Sequence, residues 1–217
     1  MLILIFLDRF FHVQTITIHG VPAKTTLRGL ENLYSNNLFF FDEDVQEKYL
    51  ASNNPIVKTI HIARKFPNAI IVIVTLADPI AYFSIDGGYL LVSEEGKVLA
   101  KTREVTRRYP LIHYYQRFSF SSWQSGDTIQ YGDVLSALFF LKKALDLGLA
   151  IDTIDISGLS MIALQLKDQK ILFTTEKDRA IQEYQFSTII KQFSIEGKRF
   201  DVLDLRFDKP VIQVRSQ

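Results

Sequence analysis

The run from Ala69 to Leu76 is the feature that most constrains how this chain folds. It reads AIIVIVTL, so it is apolar except for Thr75 and is dominated by β-branched residues. Its length suits a strand, and its composition is typical of a strand that is covered on both faces or on much of them. The run therefore predicts a sheet with other elements packed against it.

The sequence ahead of this run predicts a strand and a first helix. Val13 to His19 is rich in β-branched residues and ends at the turn signal Gly20-Val21-Pro22. Thr25 or Thr26 is a candidate N-cap for the helix. The predicted helix has an apolar face with helical spacing, formed by Leu27, Leu30, Leu33 and Tyr34.

A second helix and a hairpin complete this first unit. Asp42-Glu43-Asp44 suits an N-cap and an acidic first turn, and Asn53-Asn54-Pro55 stops the helix. Thr59 to Ala63 alternates between polar and apolar residues like a half-buried strand. Lys65 to Asn68 then turns the chain into the apolar run. The predicted order is strand, helix, helix, strand, strand.

Strand patterns dominate from Pro79 onward. Ile80 to Ile85, Tyr89 to Val92 and Lys97 to Ala100 are joined by glycine-containing turns and predict a meander. Helical spacing predicts one helix from about Asp133 to Gly148 and a more polar one from about Asp178 to Phe193. Further strands are predicted at Ile151–Ile156, Ile162–Lys167, Lys170–Thr174, Phe200–Phe207 and Val211–Arg215. The fold class is therefore α+β: a small βααββ domain followed by a strand-rich domain with one or two helices.

Composition and motifs exclude several classes of function. Lys and Arg number 25 against 24 Asp and Glu, which leaves no broad cationic surface for a nucleic acid. The chain has no cysteine, so disulfides, thiolate metal sites and cysteine nucleophiles are excluded. We find no phosphate-binding glycine loop, zinc-protease motif or nucleophile elbow. We expect no catalytic, cofactor-binding or metal-binding residue, although an enzyme whose carboxylates converge only in the fold stays an alternative.

The four histidines show no close metal-ligand spacing. His12 and His61 would meet only if their strands were paired, and a metal site would also need further ligands. Chance histidines on strands are the favoured interpretation.

Two other segments are open to two interpretations each. Met1 to Leu7 reads MLILIFL and is too short for a membrane-spanning helix, which needs about 20 apolar residues. It is either a short buried element or the outer end of a membrane anchor that begins upstream. The cluster of Lys101, Arg103, Arg107 and Arg108 is either a solvated loop or a contact for anionic lipid or a partner.

Five motifs follow one another along the chain: VQTITIHG at Val13–Gly20, RKFPN at Arg64–Asn68, PIA at Pro79–Ala81, LLVSEEGKV at Leu90–Val98 and DLRF at Asp204–Phe207. In this order they resemble the extracytoplasmic part of the FtsQ/DivIB family of bacterial cell-division proteins. Two departures indicate a divergent member: Leu76-Ala77 stands where the family usually has Glu-Arg, and Ser93 where Asp is common after Leu-Val.

The resemblance implies a domain organisation and a location. Residues 1–10 would be the remnant of a transmembrane anchor and a linker, residues 11–76 a POTRA domain, and residues 77–217 a β-domain. The protein would be a single-pass protein of the cell (inner) membrane, anchored if the chain extends upstream, with its main domains outside the cytoplasm at the division septum.

The resemblance also implies a non-enzymatic scaffold that binds FtsB/DivIC-type and FtsL-type partners and helps to control septal peptidoglycan synthesis. In the family, a partner strand adds to the last strand of the β-domain. Here the corresponding residues are Phe207, Val211, Ile212, Gln213, Val214 and Arg215. Phe207 is equally consistent with a core residue at the end of a strand. The rival function is a POTRA-bearing envelope protein of an assembly or secretion system.

Overall fold

The computed structural model describes residues 10–22, 26–106, 108–158 and 160–214. The chain divides into two compact units between Ala77 and Asp78. In the N-terminal unit, strands β1 (Thr15–His19), β2 (Val57–Lys65) and β3 (Ala69–Leu76) form a sheet in the order β1-β3-β2. β1 is parallel to β3, and β2 is antiparallel to it.

The apolar run forms β3, the central strand, and one of its faces is buried while the other is only partly covered. Ile70, Val72 and Val74 are buried in the core, whereas the Ile73 side chain is 45% exposed on the opposite face. The expectation that the strand is covered on both faces or on much of them therefore holds only for part of the outer face, where Ala69 and Ile71 are half-buried. β-Branched residues also suit a strand that pairs with neighbours on both sides, so the outer positions of β3 are apolar without being buried.

The helices of this unit differ from each other in regularity. The second predicted helix is confirmed as α1 (Glu43–Asn53), and the Asp42 carboxylate accepts a hydrogen bond of 3.0 Å from the Val45 N–H at its N-terminus. The first is only a 3-10 helix, Leu30–Ser35. Gly29 precedes it with a φ of +89°, which interrupts any helix that starts earlier. Thr25 lies outside the described residues.

The second unit is built from nine described strands and two α-helices. The strands are β4 (Pro79–Ile85), β5 (Gly88–Ser93), β6 (Val98–Thr102), β7 (Leu111–Tyr114), β8 (Thr153–Ser157), β9 (Met161–Gln165), β10 (Lys170–Thr174), β11 (Phe200–Asp204) and β12 (Val211–Val214). The helices are α2 (Gly132–Asp146) and α3 (Arg179–Glu196), with a 3-10 turn at Phe120–Ser122. The α+β prediction is confirmed.

These strands form one sheet in the order β12-β11-β10-β9-β8-β7-β4-β5-β6. α2 connects the parallel pair β7 and β8, and α3 connects the parallel pair β10 and β11. The apolar faces of both helices contribute to the core of this unit, for example through Leu138 on α2 and Phe186 on α3. The order places β12 at one edge of the sheet. None of the helices in the described parts of the chain is long and apolar enough to cross a membrane.

Candidate partner-binding edge

β12 is bonded to the rest of the sheet along one side only. It runs antiparallel to β11, with Ile212 opposite Leu203 and Val211 opposite Asp204. Among the described strands none pairs with its other side. Backbone N–H and C=O groups that point away from β11 are therefore available to an incoming strand.

The side chains of β12 differ in exposure. Ile212 is half-buried and packs against the core of the second unit, which fixes the strand to its own domain. Gln213 is exposed, and the side chains of Val211 and Val214 are 55% and 53% exposed. A partner strand would therefore meet the backbone together with two apolar side chains. Arg215 lies outside the described residues.

Phe207 lies in the loop between β11 and β12. The predicted strand Phe200–Phe207 ends at Asp204, so Phe207 does not end a strand. Its side chain is 55% exposed, which does not agree with a core position. The ring lines a cavity of about 500 Å³ together with Met161, Thr174 and Asp208. An apolar side chain at the rim of a cavity beside an open strand suits a binding surface.

Lys177 and Gln185 hold this loop in place. The Lys177 ammonium donates hydrogen bonds to the carbonyl oxygens of Phe207 and Leu205, at 2.6 and 3.2 Å, and to Gln185 Oε1 at 2.7 Å. Gln185 Nε2 donates to the carbonyl oxygen of Asp208 at 3.0 Å. The sequence analysis missed both residues, because no local signal marks a side chain that bonds to a loop about 30 residues further along the chain.

Asp204 and Arg206 form a two-point ion pair at the start of the same loop. Arg206 Nη2 lies 2.6 Å from Asp204 Oδ2, and Arg206 Nε lies 2.9 Å from Asp204 Oδ1. These hydrogen bonds hold the pKa of the Asp204 carboxyl below its usual value, although burial acts in the opposite direction. The guanidinium carbon of Arg206 is 5.7 Å from the centre of the Phe207 ring. The DLRF motif thus combines a fixed charge pair with an exposed ring.

The histidine pair considered above does not come together. β3 lies between β1 and β2, so His12 and His61 are not on paired strands. His61 Nδ1 instead lies 3.1 Å from a carboxylate oxygen of Glu47. Within the described ranges, we find no group of three or more His, Asp or Glu side chains that could hold a metal ion.

The basic cluster contacts aromatic rings of its own domain. Lys101 Nζ lies 4.2 Å above the Phe120 ring and donates a 2.6 Å hydrogen bond to the Trp123 carbonyl oxygen. Arg108 lies 5.4 Å from the Tyr109 ring centre. Arg107 is outside the described residues. Arg103 lies 5.9 Å from the Phe120 ring centre, so the three described residues of the cluster lie beside aromatic rings of their own domain.

The N-terminal unit has the order strand, 3-10 helix, α-helix, strand, strand, and a strand-rich unit follows it. Residues 11–75 match the family model of the POTRA domain, FtsQ-type. Two curated relatives are similar, the cell division protein DivIB of Clostridium botulinum strain Hall and that of strain Loch Maree. Each is 24% identical over 127 residues, which make up 57% of this chain and 48% of the relative. These matches confirm the resemblance to the FtsQ/DivIB family, and the chain spans about half the length of the curated relatives it matches.

Proposed function

We propose that the protein acts in bacterial cell division as a non-enzymatic scaffold at the septum. The open edge of β12 is the observation that carries this proposal. The names of the two relatives, both cell division proteins, support the cellular role. The partners are single-span division proteins of the FtsB/DivIC and FtsL types, and through them the protein helps to control septal peptidoglycan synthesis.

Strand addition at β12 is the proposed mechanism of binding. A partner segment in extended conformation pairs with the outward N–H and C=O groups of Val211 to Val214 and extends the sheet by one strand. Val211 and Val214 then lose solvent contact against the partner, and Phe207 packs over it from the loop. Ile212 contributes through its backbone, because its side chain packs against the core.

In this mechanism only the second of the two units binds the partner. Residues 11–76 form the POTRA domain and residues 77–217 the β-domain, which carries the partner edge. If the chain extends upstream, an anchor that ends near Leu7 holds both domains on the outer side of the cell membrane.

The proposal is tested by site-specific photo-crosslinking in dividing cells. A photo-reactive amino acid replaces Val211 in the endogenous full-length protein, and the captured proteins are identified by mass spectrometry. Val105 is the matched control, because it is an exposed valine that follows β6, at the opposite end of the sheet.

We expect position 211, but not position 105, to capture single-span division proteins. Capture of outer-membrane barrels or secretion components at position 211, without division proteins, would overturn the division role and support the rival assembly function. Equal capture of division proteins at both positions would overturn the assignment of the edge.

A further inference from the structure

Three separate segments bring phenylalanine side chains to one surface of the N-terminal unit. Phe10 and Phe11 precede β1, Phe39 and Phe40 lie between the 3-10 helix and α1, and Phe66 is in the turn between β2 and β3. The centre of the Phe11 ring lies 4.4 Å from that of Phe39 and 6.3 Å from that of Phe66. The Phe39 and Phe66 ring centres are 5.4 Å apart. These five residues are called the phenylalanine patch below.

The backbone holds the patch together. The Leu38 N–H donates a 2.9 Å hydrogen bond to the carbonyl oxygen of Phe11, and His12 forms an isolated β-bridge with Asn37. Arg64 on β2 donates from Nη1 to the Leu38 carbonyl oxygen at 3.3 Å. The segments that carry the rings are therefore tied to one another and to the sheet, so the patch is a built surface.

Most of the patch is exposed. The side chains of Phe40, Phe39, Phe66 and Phe10 are 88%, 59%, 52% and 45% exposed, whereas the adjacent Phe41 is only 5% exposed. Since a phenylalanine side chain offers about 200 Å² of surface, the four together expose on the order of 500 Å². Phe40 is next to Phe39 in the sequence, and an exposed apolar surface of this size is often a contact with another phase or molecule.

The position of the patch in the chain indicates the occupant. Phe10 is separated only by Asp8 and Arg9 from Met1–Leu7, which is wholly apolar. A bilayer that this segment enters would therefore lie within about 10 Å of Phe10, the reach of three extended residues. Phenylalanine side chains on an amphipathic surface insert at the boundary between lipid headgroups and acyl chains.

The charges around the patch specify the kind of lipid contact. Asp42 and Asp44 are exposed next to Phe39–Phe41, and Lys65 is exposed next to Phe66. Glu43 is paired with Arg64 at 2.9 Å. The exposed charges beside the patch are two acidic groups and one basic group, which do not make a cationic surface for anionic headgroups, so its binding would rest on apolar insertion rather than on electrostatics.

We propose that the phenylalanine patch inserts into the headgroup boundary of the membrane and holds the N-terminal unit against the lipid surface. This inference goes beyond the proposed function and rests only on its membrane location. The partner edge lies in the other unit, so its binding is measured separately, in solution and without vesicles.

The experiment uses the absence of cysteine in the chain. A single cysteine replaces Phe40 in the full chain and carries an environment-sensitive fluorophore. Ile195→Cys is the matched control, because Ile195 is apolar and 87% exposed in the second unit, against 88% for Phe40. A third label at Leu2→Cys reports whether the N-terminal segment has entered the bilayer. The probes are phosphatidylcholine vesicles with and without phosphatidylglycerol, and with spin-labelled lipids as depth-dependent quenchers.

We expect the label at position 40 to shift to the blue and to be quenched by shallow spin labels when vesicles are added, and the label at position 195 to change in neither respect. The shift should be equal for neutral and anionic vesicles and insensitive to salt. The double substitution Phe39→Ser/Phe40→Ser should weaken vesicle binding about tenfold while the melting temperature stays unchanged.

Three results would overturn the proposal. One is an unchanged label at position 40 although position 2 has entered the bilayer. Another is a label at position 40 that is already shielded before vesicles are added, which would mean that Met1–Leu7 covers the patch. The third is binding that requires anionic lipid and disappears with salt.

Discussion

Phe207→Ala is the substitution that most clearly separates an interface residue from a core residue. The side chain is 55% exposed, so about 110 Å² of its surface remains to be covered by a partner. At about 25 cal/mol per Å², full burial contributes about 2.8 kcal/mol, or roughly a 100-fold change in Kd. The stability of the domain should change by less than about 1 kcal/mol, because the ring is outside the core.

The assay is calorimetric titration of the chain with the extracytoplasmic segment of a DivIC-type partner, together with thermal melting of each variant. Phe66→Ala is the control: Phe66 is 52% exposed but lies in the other unit, so its removal should leave the Kd unchanged in the absence of membrane. An unchanged Kd for Phe207→Ala would refute the interface role. A domain that melts well below the wild type would instead support the core interpretation.

Three further predictions concern the same edge. Val214→Lys places a charge on the open strand, so the Kd for the partner, measured by titration, should rise about tenfold without a change in melting temperature. A Kd equal to that of the wild type would contradict pairing at this edge. Lys177→Met removes the ammonium that donates hydrogen bonds to the loop, so it should lower the free energy of unfolding by about 1–3 kcal/mol and weaken partner binding. The control Lys209→Met, at an exposed loop position, should change neither quantity. Unaltered urea unfolding for Lys177→Met would show that the loop does not depend on Lys177. The pKa of Asp204 is lowered by Arg206, so the stabilisation is present above the usual carboxyl pKa of 3.8 and is lost as the pH falls through the lower folded value. Asp204→Asn should therefore destabilise the protein in urea at pH 7 much more than at pH 2, and a cost that is the same at both would contradict the ion pair.

Helices and strands whose boundaries depend on neighbouring residues were predicted well from the sequence. The α1 cap at Asp42 and the chain order of the N-terminal unit follow from side-chain capping and from hydrophobic periodicity, which are local in sequence. The first helix was predicted to be longer and more regular than it is. Leu27, Leu30 and Leu33 have helical spacing, but Gly29 lies between them in a left-handed conformation. Periodicity does not report the backbone conformation of a single glycine.

The features that depend on contacts between distant residues were predicted less well. The sequence analysis did not predict β7, because four residues are too few to show a periodic pattern. The strands that pair with it, β4 and β8, lie in distant parts of the chain. The strand that carries the candidate site was predicted from the sequence pattern and its role as an open edge was implied by the resemblance, whereas the order of the nine strands that places it at the edge came only from the structure. The support of its loop by Lys177 and Gln185 emerged only from the three-dimensional structure.

Amide hydrogen exchange along β12 tests the central claim most directly. The chain is exchanged alone and with a saturating DivIC-type partner segment, and protection is compared between Val211–Val214 and β6, the strand at the opposite edge of the sheet. Strand addition predicts that the outward amides of β12 exchange at least about tenfold more slowly in the complex, while those of β6 do not change. Binding that leaves β12 unprotected, or that protects β6 instead, would contradict the account.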